Sequence, residues 1–573
     1  MLEVRFSVIE EGGDIVRTFE IIEKPGKPRG MSMLSDYFRS ATMDAKCMYN
    51  TANFYIRNTM SGIRKSPEER THSETEVLHD VFTCICRHND EVWDRALSDT
   101  SASGFALEAR MHRAFNTYLE YPTEKTWMLS YYALDVIFKM TKNPVYVRMS
   151  AQTNQRAIRK ATDAWKSYFK ARRAYRECPA RFTGCPRIPG YLKAQMVLAS
   201  FSNQTSRIAQ RGDRMYLRFP KTKTELCLGP SGIYKGLKYV KTEVLPEHGI
   251  FRVLITFEDG TTMPKAPVSP KRILGIDVGL GNFLSVANNY GAAVFIIRGG
   301  ALKAANRAFN KKRAKLMGDL AAGKDSRHSE KHSRHLDAIS RKRRCFIRDF
   351  FYKCAWYVCR YAKSSGAEVI VIGHNKGQKQ SVSMGKANNQ AFVSIPYEKF
   401  IGILACVAAK CGIPVIVREE SYTSKASLLD MDEIPTLGND EGKNYTFSGK
   451  RVKRGLYRSK DGILINADIN GAGNIIRKEY PDAFKECKGL SFLYETTAAF
   501  KYSDFYKKPR QDEDDSKDKT DKQPGNAKKP KQAKHKYHKT GTQHRINVQR
   551  KIEARIQALI LEGAAPGQNK KAA

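Results

Sequence analysis

The stretch "RILGIDVGLGNFLSVANN" spans Arg272–Asn289. Ile273–Ile276 form a short apolar run that ends on one carboxylate, Asp277. Gly279 and Gly281 then open a turn, and a second apolar run begins at Phe283. This is the pattern of a strand, a turn and a returning strand, with an acid at the end of the first strand. In a buried strand an unpaired carboxylate costs roughly 3 kcal/mol or more unless it is paired or binds a metal. The ordinary alternative is a turn aspartate bonded to its own backbone. The sequence further along decides how to weigh the two.

Downstream, strands alternate with helices, an α/β pattern over residues 271–477. A second strand covers Phe283–Val286 and a third is expected in "AAVFIIRG". A long basic helical stretch runs from about Leu302 to Ala362. The next strand is "AEVIVIG" (Ala367–Gly373), followed by a helix at about Pro396–Cys411 and the strand "IPVIVREE" (Ile413–Glu420). In "LINADINGAGNIIRK", Asp468 opens a last helix. Three acids, Asp277, Glu420 and Asp468, thus fall at strand or helix ends. An RNase H-type sheet would bring them together. Clustered carboxylates repel and raise one another's pKa unless divalent cations neutralise them. An oxygen-only donor set suits Mg²⁺ or Mn²⁺. Two such ions roughly 3.5–4 Å apart would activate water and stabilise the leaving oxygen in phosphodiester hydrolysis. Asp277 would bridge both ions, and Glu420 and Asp468 would each hold one side. Asn466, Asn470 and Asn474 would support Asp468 or contact phosphate. The bland alternatives are an N-capping role for Asp468 and a solvated strand-end role for Glu420.

Composition narrows the partner. The chain has 573 residues, enough for roughly three or four domains, and 41% of them are hydrophobic. Its 99 Lys and Arg against 59 Asp and Glu give a net charge of +40. Such an excess predicts a polyanionic partner, with nucleic acid ahead of an anionic membrane. No stretch is apolar enough to span a bilayer and the N-terminus is not signal-like, so a cytoplasmic protein is expected. The twelve cysteines contain no C-x-x-C pair. Zinc of the ribbon type is therefore not expected, and reduced thiols are the default reading.

The remaining segments read as follows. Residues 1–30 hold a hairpin, "LEVRFSVIE" and "DIVRTFEII" around Gly12-Gly13, expected to form the first part of a β-barrel. Residues 31–177 are helical, with aromatic stripes as core and basic faces suited to nucleic acid. Residues 178–270 give a Pro/Gly-rich connection and then regular short strands that would complete the barrel. Residues 508–573 are low in complexity and read as disordered, with a short amphipathic helix in "INVQRKIEARIQALILEG". "SRKRR" places Arg341, Lys342, Arg343 and Arg344 as phosphate-tracking residues. Lys376 and Lys379 sit in a loop read as lying near the acids. A basic hairpin supplies Lys450, Arg451, Lys453 and Arg454. His328, His332 and His335 have helical spacing but lie among cations, which disfavours a metal site there. His374 is read as a hydrogen-bonding loop residue rather than a general base.

The motifs "GIDVGLGN", "IGHNKGQKQ", "NNQAFVSIPYEKF", "EESYTSKASLLD", "KRVKRGLYRSKDGILINADINGAGNIIRK" and "FTGCPRIPGYLK" resemble the TnpB family of transposon-encoded RNA-guided nucleases, related to compact type V CRISPR effectors. The resemblance covers about Cys178 to Arg477. It implies a multidomain α/β, β-barrel and α-helical protein: a RuvC-like (RNase H-fold) nuclease domain at 271–507, a wedge-type barrel and an inserted helical recognition lobe. It implies guide RNA and double-stranded DNA as partners, one protein per guide, a short flanking motif read by the protein, and Mg²⁺-dependent hydrolysis of DNA at one two-metal centre. Two departures stand out. The family's second acid follows the strand that here ends "VIVIG", and Gly373-His374 occupy its place. In some members it stands in E-x-x-T-S-K, which Glu420 fits, with Glu419 one residue off. The four-cysteine zinc ribbon is also absent from 425–462. The alternative function is an RNA-guided DNA-binding protein with weak or no cleavage. A sugar-kinase-like ATPase needs further phosphate and adenosine motifs that are not found. A protein-only transposase or resolvase lacks its tyrosine motif.

Overall fold

The computed structural model describes residues 3–8, 14–23, 32–98, 105–323, 332–375, 386–435, 445–453, 455–487, 489–495 and 497–506. The chain divides into two compact units, mainly Val16–Gly260 and the residues from Thr261 onward.

The first unit combines helices with antiparallel sheet. Its strands are β1 (Glu3–Val8), β2 (Asp14–Glu23), β3 (Ala199–Ser202), β4 (Arg207–Arg211), β5 (Arg214–Arg218), β6 (Glu225–Pro230), β7 (Lys238–Glu247) and β8 (Ile250–Thr262). They form a five-stranded sheet, β1-β2-β8-β7-β3, and a three-stranded sheet, β4-β5-β6. The expected barrel is therefore seen as two sheets, and no pairing among the described strands closes either into a ring. The helices are α1 (Ser32–Gly62), α2 (His72–Leu97), α3 (Phe105–Thr117), α4 (Tyr131–Met140), α5 (Pro144–Arg148) and α6 (Ala151–Glu177). Apolar stripes of α1, α2, α4, α5 and α6 meet in one core that includes Met48, Ile56, Ile85, Phe138, Ile158 and Trp165. Burying an indole N–H requires a partner, and Trp165 Nε1 donates to Asn53 Oδ1 at 2.8 Å.

The second unit is built on β9 (Ile273–Val278), β10 (Asn282–Asn288), β11 (Val294–Arg298), α7 (Gly300–Ala321), α8 (Arg334–Ser364), β12 (Val369–Gly373), α9 (Lys386–Val393), α10 (Tyr397–Lys410), β13 (Val415–Arg418), β14 (Lys450–Lys453), β15 (Leu456–Arg458), β16 (Leu464–Asn466), α11 (Ala467–Glu479) and β17 (Thr497–Phe500). Six strands form a mixed sheet, β13-β12-β9-β10-β11-β17. β9, β10 and β11 are antiparallel neighbours, whereas β9, β12 and β13 run parallel. Alternate residues face opposite layers, as a pleated strand requires. Leu274, Ile276, Ile370 and Ile372 join α8 and α10 through Phe351, Val358, Phe400 and Leu404. Ile273, Val369 and Val371 join α11 through Ala472, Ile475 and Ile476. A sheet covered on both faces explains why these strands read as continuous apolar runs. A separate three-stranded sheet, β14-β15-β16, holds the basic hairpin.

Several expectations need correction. The strand expected over Ile413–Glu420 ends at Arg418, so both glutamates follow it. The basic helical stretch read over 302–362 comprises α7 and α8. Strand β17, parallel to β11, was not expected. All twelve cysteines are free thiols. No helix of the described residues is long and apolar enough to cross a membrane. The low-complexity tail and its proposed helix lie outside the described residues.

Candidate active site

Asp277 is the fifth residue of β9 and pairs with Ser285 across the hairpin. Ile372 of β12 pairs with Ile276, which makes Gly373 the strand neighbour of Asp277. Withdrawal from water pushes the Asp277 carboxyl well above its ordinary range, and the charges of Glu420 and Asp468 push it further, with Arg451 opposing. The three acids found in sequence are thus close enough to act on one another. The approach of α11 depends on glycine. A Cβ at Gly471 would stand 2.9 Å from Asp277 Oδ2.

Glu420 reaches the place where the acid after β12 is missing. A Cβ at Gly373 would lie 2.8 Å from Glu420 Oε2 and 2.5 Å from Ile475 Cδ1. The absent side chain of Gly373 leaves the room that the Glu420 carboxylate fills. Burial and the adjacent Glu419 push the Glu420 carboxyl up to about 7, against the pull of Lys478. Its Oε2 is buried without a hydrogen-bond partner. Glu419 differs. It accepts from the Lys478 ammonium and from the Ser421 N–H at 2.6 Å. Burial opposes its ionisation, but these bonds hold its carboxyl below the ordinary value.

Asp468 is the second helical residue of α11, and the cap is Asn466. Asn466 Oδ1 accepts from the N–H groups of Asp468 at 3.0 Å and Ile469 at 3.3 Å. Asp468 is thereby freed from the capping role. Its Oδ2 accepts from Asn282 Nδ2 at 2.8 Å, and the Arg451 guanidinium stands 3.5 Å from Oδ1. Asn470 and Asn474, read from sequence as supports of Asp468 or phosphate contacts, are instead fully buried and bond backbone groups of residues 423–428. An open cleft of ≈930 Å³ adjoins Asp468, lined by Gly279–Asn282, Arg298, Phe392 and Arg451.

The basic residues divide. Lys450, Arg451 and Lys453 are exposed on β14. Lys342 is exposed on α8, with Arg341 and Arg344 partly buried. Arg343 faces inward: it donates to Asn306 Oδ1 at 2.7 Å and the Ser394 carbonyl at 2.8 Å, so it ties helices together rather than tracking phosphates. Lys376, Lys379 and Arg454 lie outside the described residues, as does His328. His332 precedes α8 and His335 lies on it, so these two do not share a helical face. His374 donates its backbone N–H to the Arg418 carbonyl at 2.8 Å. Sequence reasoning passed over Asn282 and Tyr397. The Tyr397 hydroxyl donates to the Gly279 carbonyl at 3.3 Å. Burial pushes that phenol up, as do the charges of Glu420 and Asp277. Both residues lie in motifs already quoted, but only the fold shows that they face the acids.

Among the described residues no group of three or more His, Cys, Asp or Glu side chains stands ready-made to hold a metal ion. The donor set nonetheless suits a hard divalent cation. It offers only carboxylate oxygens, one of them a buried acceptor without a partner, and the charges of Glu420 and Asp468 bear on buried Asp277 in the way a bound cation would relieve.

A mixed α/β sheet with three acids gathered at one place defines the class. The family comparison is narrower in span. Residues 252–379 match the model OrfB_IS605, described as a probable transposase, and over that span the chain is TnpB-like. No curated protein matches. Among solved structures, a Cas12f1–sgRNA–target DNA complex is 14% identical, covers 77% of this chain and 82% of that one, and has a TM-score of 0.42. A mini-RNA-guided endonuclease, CRISPR-Cas_phi3, is 12% identical over 52% of this chain and 61% of that one, at 0.25. A Cas12i(E894A)–crRNA–dsDNA complex is 10% identical over 70% and 58%, at 0.27. Likeness at these TM-scores is weaker than a shared fold requires.

Proposed function

We propose that the chain is an RNA-guided DNA endonuclease with a RuvC-like, RNase H-type nuclease domain, and that Asp277, Glu420 and Asp468 form its acid centre. The observation that carries the reading is the meeting of three carboxylates from β9, from the turn after β13 and from α11, with Asp277 under the charge of the other two. The sheet order, with a three-stranded antiparallel meander β9-β10-β11 followed by the parallel strands β12 and β13, supports the RNase H-type assignment. The +40 charge and the TnpB-like segment support guide RNA and double-stranded DNA as partners.

Asp277, Glu420 and Asp468 would hold Mg²⁺ or Mn²⁺, two ions in the fullest case, which would supply Lewis-acid polarisation of the scissile phosphate and a hydroxide nucleophile near neutral pH. The chain's own residues supply the rest. Asn282 fixes the Asp468 carboxylate by a donated hydrogen bond. Arg298 and Arg451 line the cleft beside it and bring positive charge to a phosphate backbone. The apolar layers on both faces of the sheet keep β9 and α11 rigid, so the acids keep their spacing as DNA enters.

Asp277→Ala and Asp468→Ala in the full guide-loaded complex test the reading. Cleavage of a matched target should fall by at least about 10³-fold, with target binding within about twofold, because removing a carboxylate removes charge compensation while distant cations still hold the backbone. Cleavage that persists in either variant overturns the site. The second reading is guide-dependent binding with weak or no cleavage. It is favoured by the absence of an acid at Gly373 and, among the described residues, of a ready-made metal cluster. A wild-type complex that binds a matched duplex but leaves it intact in Mg²⁺ and in Mn²⁺ selects it.

A further inference from the structure

We infer that the buried stripe Asn470–Asn474–Lys478 on α11 positions Glu420, so that one helix both carries Asp468 and holds the opposing acid. The inference rests on the acid centre proposed above. The three residues are spaced by four, which places them on one helical face. They are 0%, 0% and 8% exposed. Two amides and an ammonium on a buried face are costly unless each is bonded.

Apart from Asn474 Oδ1, which accepts from Arg477 Nη1 at 3.1 Å, their partners fall within one segment, Glu419–Leu428. Asn470 Nδ2 donates to the Ala426 carbonyl at 2.8 Å, and its Oδ1 accepts from the Leu428 N–H at 2.9 Å. Asn474 Nδ2 donates to the Thr423 carbonyl at 2.9 Å and the Ala426 carbonyl at 2.7 Å. Lys478 donates to the Ser421 carbonyl at 2.8 Å and to the Glu419 carboxylate. Thr423 closes the circuit, because its hydroxyl donates to the Glu420 carbonyl at 2.8 Å and its N–H to the same oxygen at 3.3 Å.

The need for such a device follows from where β13 stops. The strand ends at Arg418, so no ladder pairing holds Glu420. A carboxylate on a turn is a poor metal ligand or charge partner unless its backbone is fixed from outside. The stripe fixes that backbone at positions 421, 423, 426 and 428. Lys478 also holds the Glu419 side chain away from the centre, which leaves Glu420 as the glutamate that faces Asp277.

The test uses the full chain with its guide and a matched duplex. Asn474→Asp keeps the size of the side chain and removes both donated bonds. Lys478→Met keeps the stem and removes the ammonium, and Lys478→Arg is the conservative control. Mn²⁺ is titrated by electron paramagnetic resonance on complexes assembled with a non-cleavable target, alongside cleavage and target affinity. Outer-shell losses of this kind cost about 10–100-fold. Asn474→Asp and Lys478→Met should therefore raise half-saturating Mn²⁺ by about tenfold or more and slow cleavage similarly. Target affinity should stay within about twofold, and Lys478→Arg should recover most of the loss. Unchanged Mn²⁺ titrations overturn the inference. So does a parallel fall in target affinity, which would make the stripe general packing. Glu420→Gln separates the two readings. If it titrates and cleaves as wild type, the acid centre itself is wrong. If it is dead while Asn474→Asp and Lys478→Met behave as wild type, only the positioning role falls.

Discussion

Gly373 has no side chain, and the Glu420 carboxylate fills the space one would occupy. Gly373→Ala would set a methyl 2.8 Å from Glu420 Oε2 and 2.5 Å from Ile475 Cδ1. Overpacking of this kind costs about 1–3 kcal/mol. Its expected signature is a lower melting temperature together with a cleavage loss of about tenfold or more, since the displaced group is the proposed second acid. Normal cleavage in Gly373→Ala would show that Glu420 need not sit there. The two adjacent glutamates should separate just as clearly. Glu420→Gln keeps shape and removes charge, so single-turnover cleavage should drop by about two orders of magnitude or more. Glu419→Gln keeps one of the two acceptor oxygens that Ser421 and Lys478 use, and Lys478 still donates to the Ser421 carbonyl, so its loss should stay within about tenfold. The reverse ranking would mean that the wrong neighbour has been assigned. The sequence offered both residues at nearly the same spacing. Only the Lys478 contact shows which one is already engaged.

At the scale of elements, helix starts carry much of the local specificity. α2 begins with a capping box in which the Thr71 N–H donates to Glu74 Oε2 at 2.9 Å, and Lys65 donates to both Glu74 oxygens at 2.9 Å. A hydrogen bond from Ser61, with those from Lys65 and Thr71, holds the Glu74 carboxyl down from 4.5 to about 2. A folded-state pKa below the unfolded one adds stability that is complete above about 4.5 and is lost as pH falls towards 2. Hydrogen exchange of the α2 amides should therefore quicken over that window in the wild type. Glu74→Gln should quicken it already at neutral pH, by an amount equal to about 1–2 kcal/mol, and flatten the acid response. An acid response identical in both proteins would remove Glu74 as its cause. The capping box is legible in "THSE", as is the strand-turn-strand around Asp277. The end of β13 was not legible. "IPVIVREE" stays apolar or extended in pattern up to the glutamates, but the backbone pairing stops at Arg418: the Glu420 N–H bonds the Asn375 side chain and the Ser421 carbonyl bonds Lys478 of α11 instead of a strand backbone.

For the whole molecule, the governing quantity is charge. An excess of 40 positive charges over 573 residues is spread through both units rather than confined to one motif. Binding to a guide RNA or a DNA duplex should then release many counterions. The logarithm of affinity should fall linearly with the logarithm of salt, with a loss of about 10³-fold or more between 50 and 200 mM if six or more phosphates are neutralised. Filter binding across that range measures the slope, and a slope near zero would remove the polyanion as the partner. The two sheets of the first unit show the limit of pattern reading at this scale. Regular short strands are consistent with a ring or with separate sheets, because strand periodicity specifies which side chains alternate but not which edges meet.

The sequence by itself determined the α/β order of the second unit, the acids at element ends and the charge, because these depend on local periodicity and composition. Tertiary structure decided what depends on distant residues sharing a place. It put Glu420 in the space beside Gly373 and gave the cap of α11 to Asn466 instead of Asp468. It also turned Arg343, Asn470 and Asn474 inward, away from the phosphate roles their chemistry suggested. A polar side chain can serve solvent, ligand or a buried backbone group equally well. Which of these it serves is fixed by the packing of elements far apart in the chain.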